Sequence, residues 1–171
     1  MFDKYYTLFY SLKFKEFLLE KWYRRDVLID SFITAFITLM SAACVAVWSI
    51  WQQLPWLWSI LILTAQCLQL IRPQLPYGRR ITAFQYMIPD MRSLNAEAEI
   101  IWFETNLSNG DFSTAYFKLR REYEKLESRY MSTFILPHSG RLEKKAQSDT
   151  ESYIRYTLKG GEAYENPEKI T

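Results

Sequence analysis

The sequence predicts an all-α chain built as a two-span transmembrane helical hairpin, a long cytoplasmic antiparallel helical hairpin and a short C-terminal helix. Three observations carry that class. Residues 31–71 hold no Asp, Glu, Lys or Arg, although the 171 residues include 21 Lys and Arg and 19 Asp and Glu. Beyond Phe84, apolar positions recur at alternating spacings of three and four. Pro and Gly clusters punctuate the segments between. A hydrophobic content of 49% suits a soluble core and a membrane protein alike, so the distribution of charge decides.

The first segment, residues 1–26, reads "MFDKYYTLFYSLKFKEFLLEKWYRRD" and is expected to be helical up to the first span. Its aromatics spread almost all round a helical wheel. That argues against a helix lying flat on a membrane and for burial against other helices or neighbouring subunits. The uncharged segment follows, bounded as residues 27–71. As one helix it would reach about 60 Å, roughly twice the hydrocarbon thickness of a bilayer, whereas two spans of about 20 residues fit. Pro55 in "QQLPW" disfavours helix at Leu54 and marks the break, with one span near Val27 to Trp51 and the second near Pro55 to Ile71. Trp48, Trp51, Trp56 and Trp58 gather at this turn, as amphipathic rings do at a membrane interface. Lys21, Arg24 and Arg25 precede span one, and Arg72, Arg79 and Arg80 follow span two, while the turn is uncharged. Both termini are therefore expected in the cytoplasm, with the chain crossing the membrane twice. "SAAC" at Ser41 to Cys44 hints at a lipoprotein cleavage site, but the charged region before it is too long and a second span follows. Cys44 and Cys67 fall inside the spans and read as small apolar fillers.

Residues 72–159 form the cytoplasmic helical part. "RPQLPYGRR" reads as a hinge. After it, Phe84, Met87, Met91, Leu94, Ala98 and Ile101 make a helical seam, expected to kink near Pro89. "SNGD" is a turn that opens a second seam of Phe112, Tyr116, Leu119, Tyr123, Leu126 and Tyr130. "LPHSG" ends that helix, and a third runs toward Gly160 and Gly161. Residues 160–171 are expected to be a flexible tail.

Two constellations are candidates for function. Along span one, Ser31, Thr34, Thr38, Ser41 and Ser49 share a sector of roughly 80°, with Gln52 extending it and Phe32, Phe36, Met40 and Val47 opposite. Span two carries Ser59, Gln66 and Gln69. Such residues let helices pack closely, or they line a polar pathway enclosed by several copies; either way self-association follows. Asp30 would contribute a carboxylate ring at the mouth, or pair with Arg24, Arg25 or Arg72.

The second constellation is Lys118, Arg121, Lys125 and Arg129, which share a sector of about 80° with Ser128 and Ser132. This stripe suits the phosphates of a nucleotide or short oligonucleotide, with Tyr116 or Tyr123 to stack a base. It suits better an ion-pair ladder with Asp90, Glu97 and Glu104, which recur every seven residues on the preceding helix. Arg141, Lys144 and Lys145 read as a solvated face. His138 has no acidic or cysteine partner in its local sequence. "KGG" lacks the spacing of a phosphate-binding loop, and no catalytic arrangement of Ser, His, Cys or paired carboxylates stands out. The chain is expected to be no enzyme and to need no metal or cofactor.

In layout the chain resembles the SLATT family of two-span membrane effectors. The features that carry the resemblance are "EKWYRRD" before span one, the short hairpin turn, "RPQLPYGRR" after span two, the long helical hairpin, and "LPHSGRLEKKAQ" opening the last helix. The resemblance implies an oligomeric, channel-like effector in bacterial anti-phage defence, opened by a nucleotide-derived signal received on its cytoplasmic helices. Versions paired with an operon-encoded nucleotidyltransferase, as in Hailong-type systems, are similar in architecture. A non-conducting membrane anchor whose cytoplasmic hairpin recruits a partner protein is the alternative.

Overall fold

Apolar residues at helical spacing, with Pro at helix starts, yield helices throughout the computed structural model, which describes residues 2–46, 55–108, 112–130 and 138–158. The order is α1 (Phe2–Ala46), α2 (Pro55–Ile71), a 3₁₀ turn (Arg72–Gln74), α3 (Pro76–Ser108), α4 (Phe112–Tyr130) and α5 (Gly140–Leu158). Helices α2 and α3 both begin at a proline. A proline costs nothing at the first helical position, because its missing N–H would have no intrahelical partner there.

Two expectations change at the element boundaries. The N-terminal segment and the first span are one 45-residue helix, because "YRRD" contains no breaker. The "RPQLPYGRR" segment is no open hinge. Arg72–Gln74 form one 3₁₀ turn, closed by Leu75 N donating to Arg72 O at 3.2 Å, and Gly78, Arg79 and Arg80 already lie within α3. Pro89 sits inside that same helix, which continues on both sides of it.

The chain divides into two compact units, residues 1–22 with 83–171, and residues 23–82. In the first, Tyr5, Phe9, Leu12, Leu19 and Trp22 of α1 are buried, as are Phe84, Met87, Met91 and Ala98 of α3, Leu119 and Tyr123 of α4, and Ala146 and Ile154 of α5. The aromatic N-terminus thus finds its cover within its own chain. Trp102 is ringed by Phe2, Tyr5, Phe9 and Phe112 at centroid distances of 5.1 to 6.5 Å. Such contacts between amphipathic helices stabilise through area removed from water and aromatic pairing. At the start of α5, Ser139 O accepts from the Glu143 amide at 3.0 Å, while the Glu143 carboxylate takes the Ser139 amide at 3.3 Å, a reciprocal cap.

The second unit is built from the later part of α1, α2 and the start of α3. Among the described residues no helix is long and apolar enough to cross a membrane, so the two-span expectation is not supported. The physical reason is local: Pro55 opens α2 and the turn containing Pro73 ends it, leaving 17 residues. Trp48, Trp51, Ser49 and Gln52 lie outside the described residues, as do Ser132, Gly160 and Gly161.

Candidate functional site

The basic stripe is assembled by the regular spacing of α4, and α3 supplies its counter-charges. Lys118 Nζ lies 2.5 Å from Glu97 Oε1, and Arg129 Nη1 lies 4.0 Å from Asp90 Oδ2, which also accepts from the Tyr130 hydroxyl at 2.9 Å. Lys125 instead pairs along its own helix with Glu122 at 2.7 Å. Arg121 is exposed, and no carboxylate is within ion-pair distance of it among the described residues. Two acids of the heptad row, Asp90 and Glu97, therefore meet the stripe. The Glu97 hydrogen bond holds the Lys118 ammonium above its ordinary pKa, and the Lys125 hydrogen bond holds Glu122 below its own. A cleft of about 280 Å³ between these helices is lined by Asp90, Glu97 and Glu122 as well as Lys125 and Arg129. Such lining receives an anion only if the cations leave their carboxylates.

Neither proposed stacking tyrosine stands free beside the stripe. Tyr123 is buried, its ring capped by Lys15 Nζ 4.5 Å from the centroid and its hydroxyl accepting from the same ammonium. Tyr116 lines a different cleft of about 410 Å³ with Lys4, Thr7, Ser11 and Arg120, and the Arg120 side chain is itself held by Glu124 at 2.7 Å. His138 does have an acidic neighbour. Its Nδ1 lies 2.8 Å from Glu143 Oε1, because the turn of α5 brings a residue five positions away back to it. No cluster of metal-ligating side chains occurs among the described residues.

In the second unit, Asp30 is held by Arg72, whose Nη2 lies 3.0 and 3.2 Å from the two carboxylate oxygens. Arg25 turns instead to its neighbour, the fully buried Asp26, which Arg80 approaches at 3.1 Å from a second direction. The hydroxyls of Thr34 and Thr38 donate to the carbonyls of Asp30 and Thr34, at 2.7 and 2.8 Å, and Thr64 does the same to Ile60. This back-bonding satisfies a hydroxyl within its own helix, with no call on water. Ser41, Gln66 and Gln69 meet at a void of about 20 Å³ between α1 and α2, room for one water. Ser41, Gln66 and Gln69 are nonetheless exposed, as are Ser31, Thr38 and Thr64, so the hydroxyls and amides share no buried inner face.

A buried polar cluster in the first unit has no counterpart in the sequence reading. Lys13 Nζ lies 3.1 Å from Glu16 and 3.4 Å from Glu99, and 4.2 Å above the Tyr153 ring. Asn95, wholly buried, donates to Glu16 at 2.7 Å, and the Tyr153 hydroxyl donates to Glu99. Burial pulls the Lys13 ammonium down, but the charges of Glu16 and Glu99 and the Glu16 hydrogen bond reverse this, leaving it above its ordinary 10.5. Burial raises the phenols of Tyr5 and Tyr153 above 10.0, and Glu97 and Glu99 respectively add to the effect. This is a specifying core network, since every partner must be present to offset the desolvation of the rest.

Against known proteins, the chain matches no family model, no curated sequence and no solved structure.

Proposed function

We propose that the chain is a self-associating membrane effector. Residues 27–71 cross a bacterial inner membrane as a two-span hairpin, both termini are cytoplasmic, and the first unit is a cytosolic sensor. The single observation that carries this reading is the outer surface of the second unit. Leu28, Phe32 and Leu39 of α1 and Ile60, Leu63 and Leu70 of α2 are between 53% and 74% exposed. Large apolar side chains exposed along both helices, with Ser31, Thr38 and Thr64 exposed among them, suit lipid better than water. Helix α2 would reach about 25 Å, at the short end for a span, and Trp56 at its start is 60% exposed where an interfacial ring belongs. From residue 27 to Ala46, α1 would supply about 30 Å, the thickness of the hydrocarbon core.

The effector role, a nucleotide or short oligonucleotide as the signal, and an operon-encoded nucleotidyltransferase as its source are what the SLATT resemblance implies. The α3–α4 ion pairs supply a mechanism for it. Exposed pairs such as Lys118–Glu97 and Arg129–Asp90 are screened by solvent and individually weak, so a polyphosphate competes for the same cations at little cost. Paired and ligand-bound states are then two packings of one hairpin with different ligand affinity, which coupling to the membrane requires. Ion flux into liposomes carrying the purified protein, with and without nucleotides, tests this. Nucleotide-dependent flux lost in Lys118→Glu with Lys125→Glu is expected; flux that ignores both nucleotide and substitution contradicts it.

One observation favours the second reading, a non-conducting anchor that recruits a partner. Thr34, Thr38 and Thr64 are satisfied by their own helices and Asp30 by Arg72, so these groups make no demand on a water-filled pathway. A silent bilayer at every nucleotide concentration would select it.

A further inference from the structure

Beside the start of α3 lies an open cleft of about 650 Å³, lined by Asp30, Gln69, Arg72, Tyr77, Gly78 and Arg79 among others. Three independent features there suit a phosphate. The first turn of α3 has amide N–H groups with no intrahelical acceptor, at Tyr77 and Gly78, and a Cβ on Gly78 would meet nothing within 4 Å, so the backbone is uncovered. Tyr77 is only 8% exposed, yet its hydroxyl has no hydrogen-bond partner among the described residues. A buried, unsatisfied donor is costly, and a ligand oxygen would relieve it. Arg79 is exposed, with no carboxylate in ion-pair range among the described residues, whereas Arg72 is neutralised by Asp30 and Arg80 faces Asp26. The cleft lining therefore carries one net positive charge, matching one phosphodiester.

We propose that this cleft binds the phosphate of an anionic phospholipid headgroup. The source of the phosphate follows from its surroundings: Leu70 and Ile71, immediately before Arg72, are 74% and 48% exposed, and Leu28, two residues before Asp30, is 70% exposed. Acyl chains would cover these side chains, while a soluble phosphate ester would leave them bare. The inference rests on residues 27–71 lying in a membrane, and its test separates the two.

Alkaline carbonate extraction of the membrane fraction comes first, and a protein released by carbonate overturns both readings. For protein that stays membrane-bound, binding of a short-chain phosphatidylglycerol in mild detergent is compared with the matching phosphatidylcholine and with glycerol phosphate. Expected is about tenfold tighter binding of phosphatidylglycerol, abolished in Arg79→Ala and unchanged in Lys118→Glu. Tyr77→Phe should weaken the lipid and raise the melting temperature of the lipid-free protein, an opposition that a merely structural tyrosine would not produce. Equal binding of the two lipids, or wild-type affinity in Arg79→Ala, overturns the lipid site alone. So does competition by glycerol phosphate at the concentration of the lipid.

Discussion

The two units invert one another. In residues 1–22 with 83–171, charged residues surround a core in which Tyr5, Phe9, Leu12, Phe84, Met87 and Met91 are nearly or wholly buried. In residues 23–82, the most apolar part of the chain, only Ala65 and Tyr77 are buried apolar residues among those described, while Asp26 is fully buried. Large side chains such as Leu28, Phe32 and Leu63 are exposed there, with Ser31, Thr38 and Gln66 exposed beside them, while Ile37, Met40 and Ile62 are half-buried. A chain folds its apolar groups away from its solvent, and on the proposed membrane reading this contrast is what two different solvents produce.

The largest effect that sharpens this contrast is a pair of truncations. Phe9→Ala removes a ring that is 1% exposed and should cost about 3–5 kcal/mol in denaturant unfolding in mild detergent. Phe32→Ala removes one that is 73% exposed and should cost less than about 0.5 kcal/mol. Equal costs would break the comparison. Next, Lys13→Met takes the nearer cation from the buried Glu16, which keeps Arg92 at 3.6 Å, and the cation of the half-buried Glu99, and should cost about 3 kcal/mol, part of it recovered when Glu16→Gln is added.

The pH dependence has the same origin. Lys13, Tyr5 and Tyr153 all titrate above their ordinary values in the folded state, so the stability they contribute is complete below about pH 10 and drains as pH rises through the raised values. Urea midpoints should therefore hold level up to about pH 10 and fall above it, less steeply in Lys13→Met. The smallest effect is at the stripe. Lys118→Glu and Glu97→Lys should each cost little, and the double swap should restore the loss.

Much of the helical layout was legible from local chemistry. Pro55 and Ile71 bound α2 as the proline and the return of charge imply, and Phe112 opens α4 after its turn. The seam from Phe84 to Ala98 is buried at every position that its spacing marks. Boundaries failed where a breaker is tolerated: Pro76 and Gly78 read as hinge residues, yet proline is at home at a first helical position and glycine in a first turn costs little against the packing that follows. For the stripe, spacing told which cations share a face but not which acids face them; Asp90 and Glu97 decide that from α3. The Lys13 network was invisible because its members are about 80 residues apart in sequence, and a lysine among aromatics on an all-round wheel gives no stripe to read. Tyr77 likewise looks like any hinge tyrosine until its burial is known.

The account turns on what surrounds Leu63, in the middle of α2 and 64% exposed. A fluorophore attached at Leu63→Cys, with Cys44 and Cys67 replaced by Ser, in protein reconstituted into liposomes, reads this directly. The account predicts strong quenching by lipids spin-labelled deep in the acyl chain and little by aqueous iodide. Strong iodide quenching with indifference to the spin-labelled lipids would contradict it.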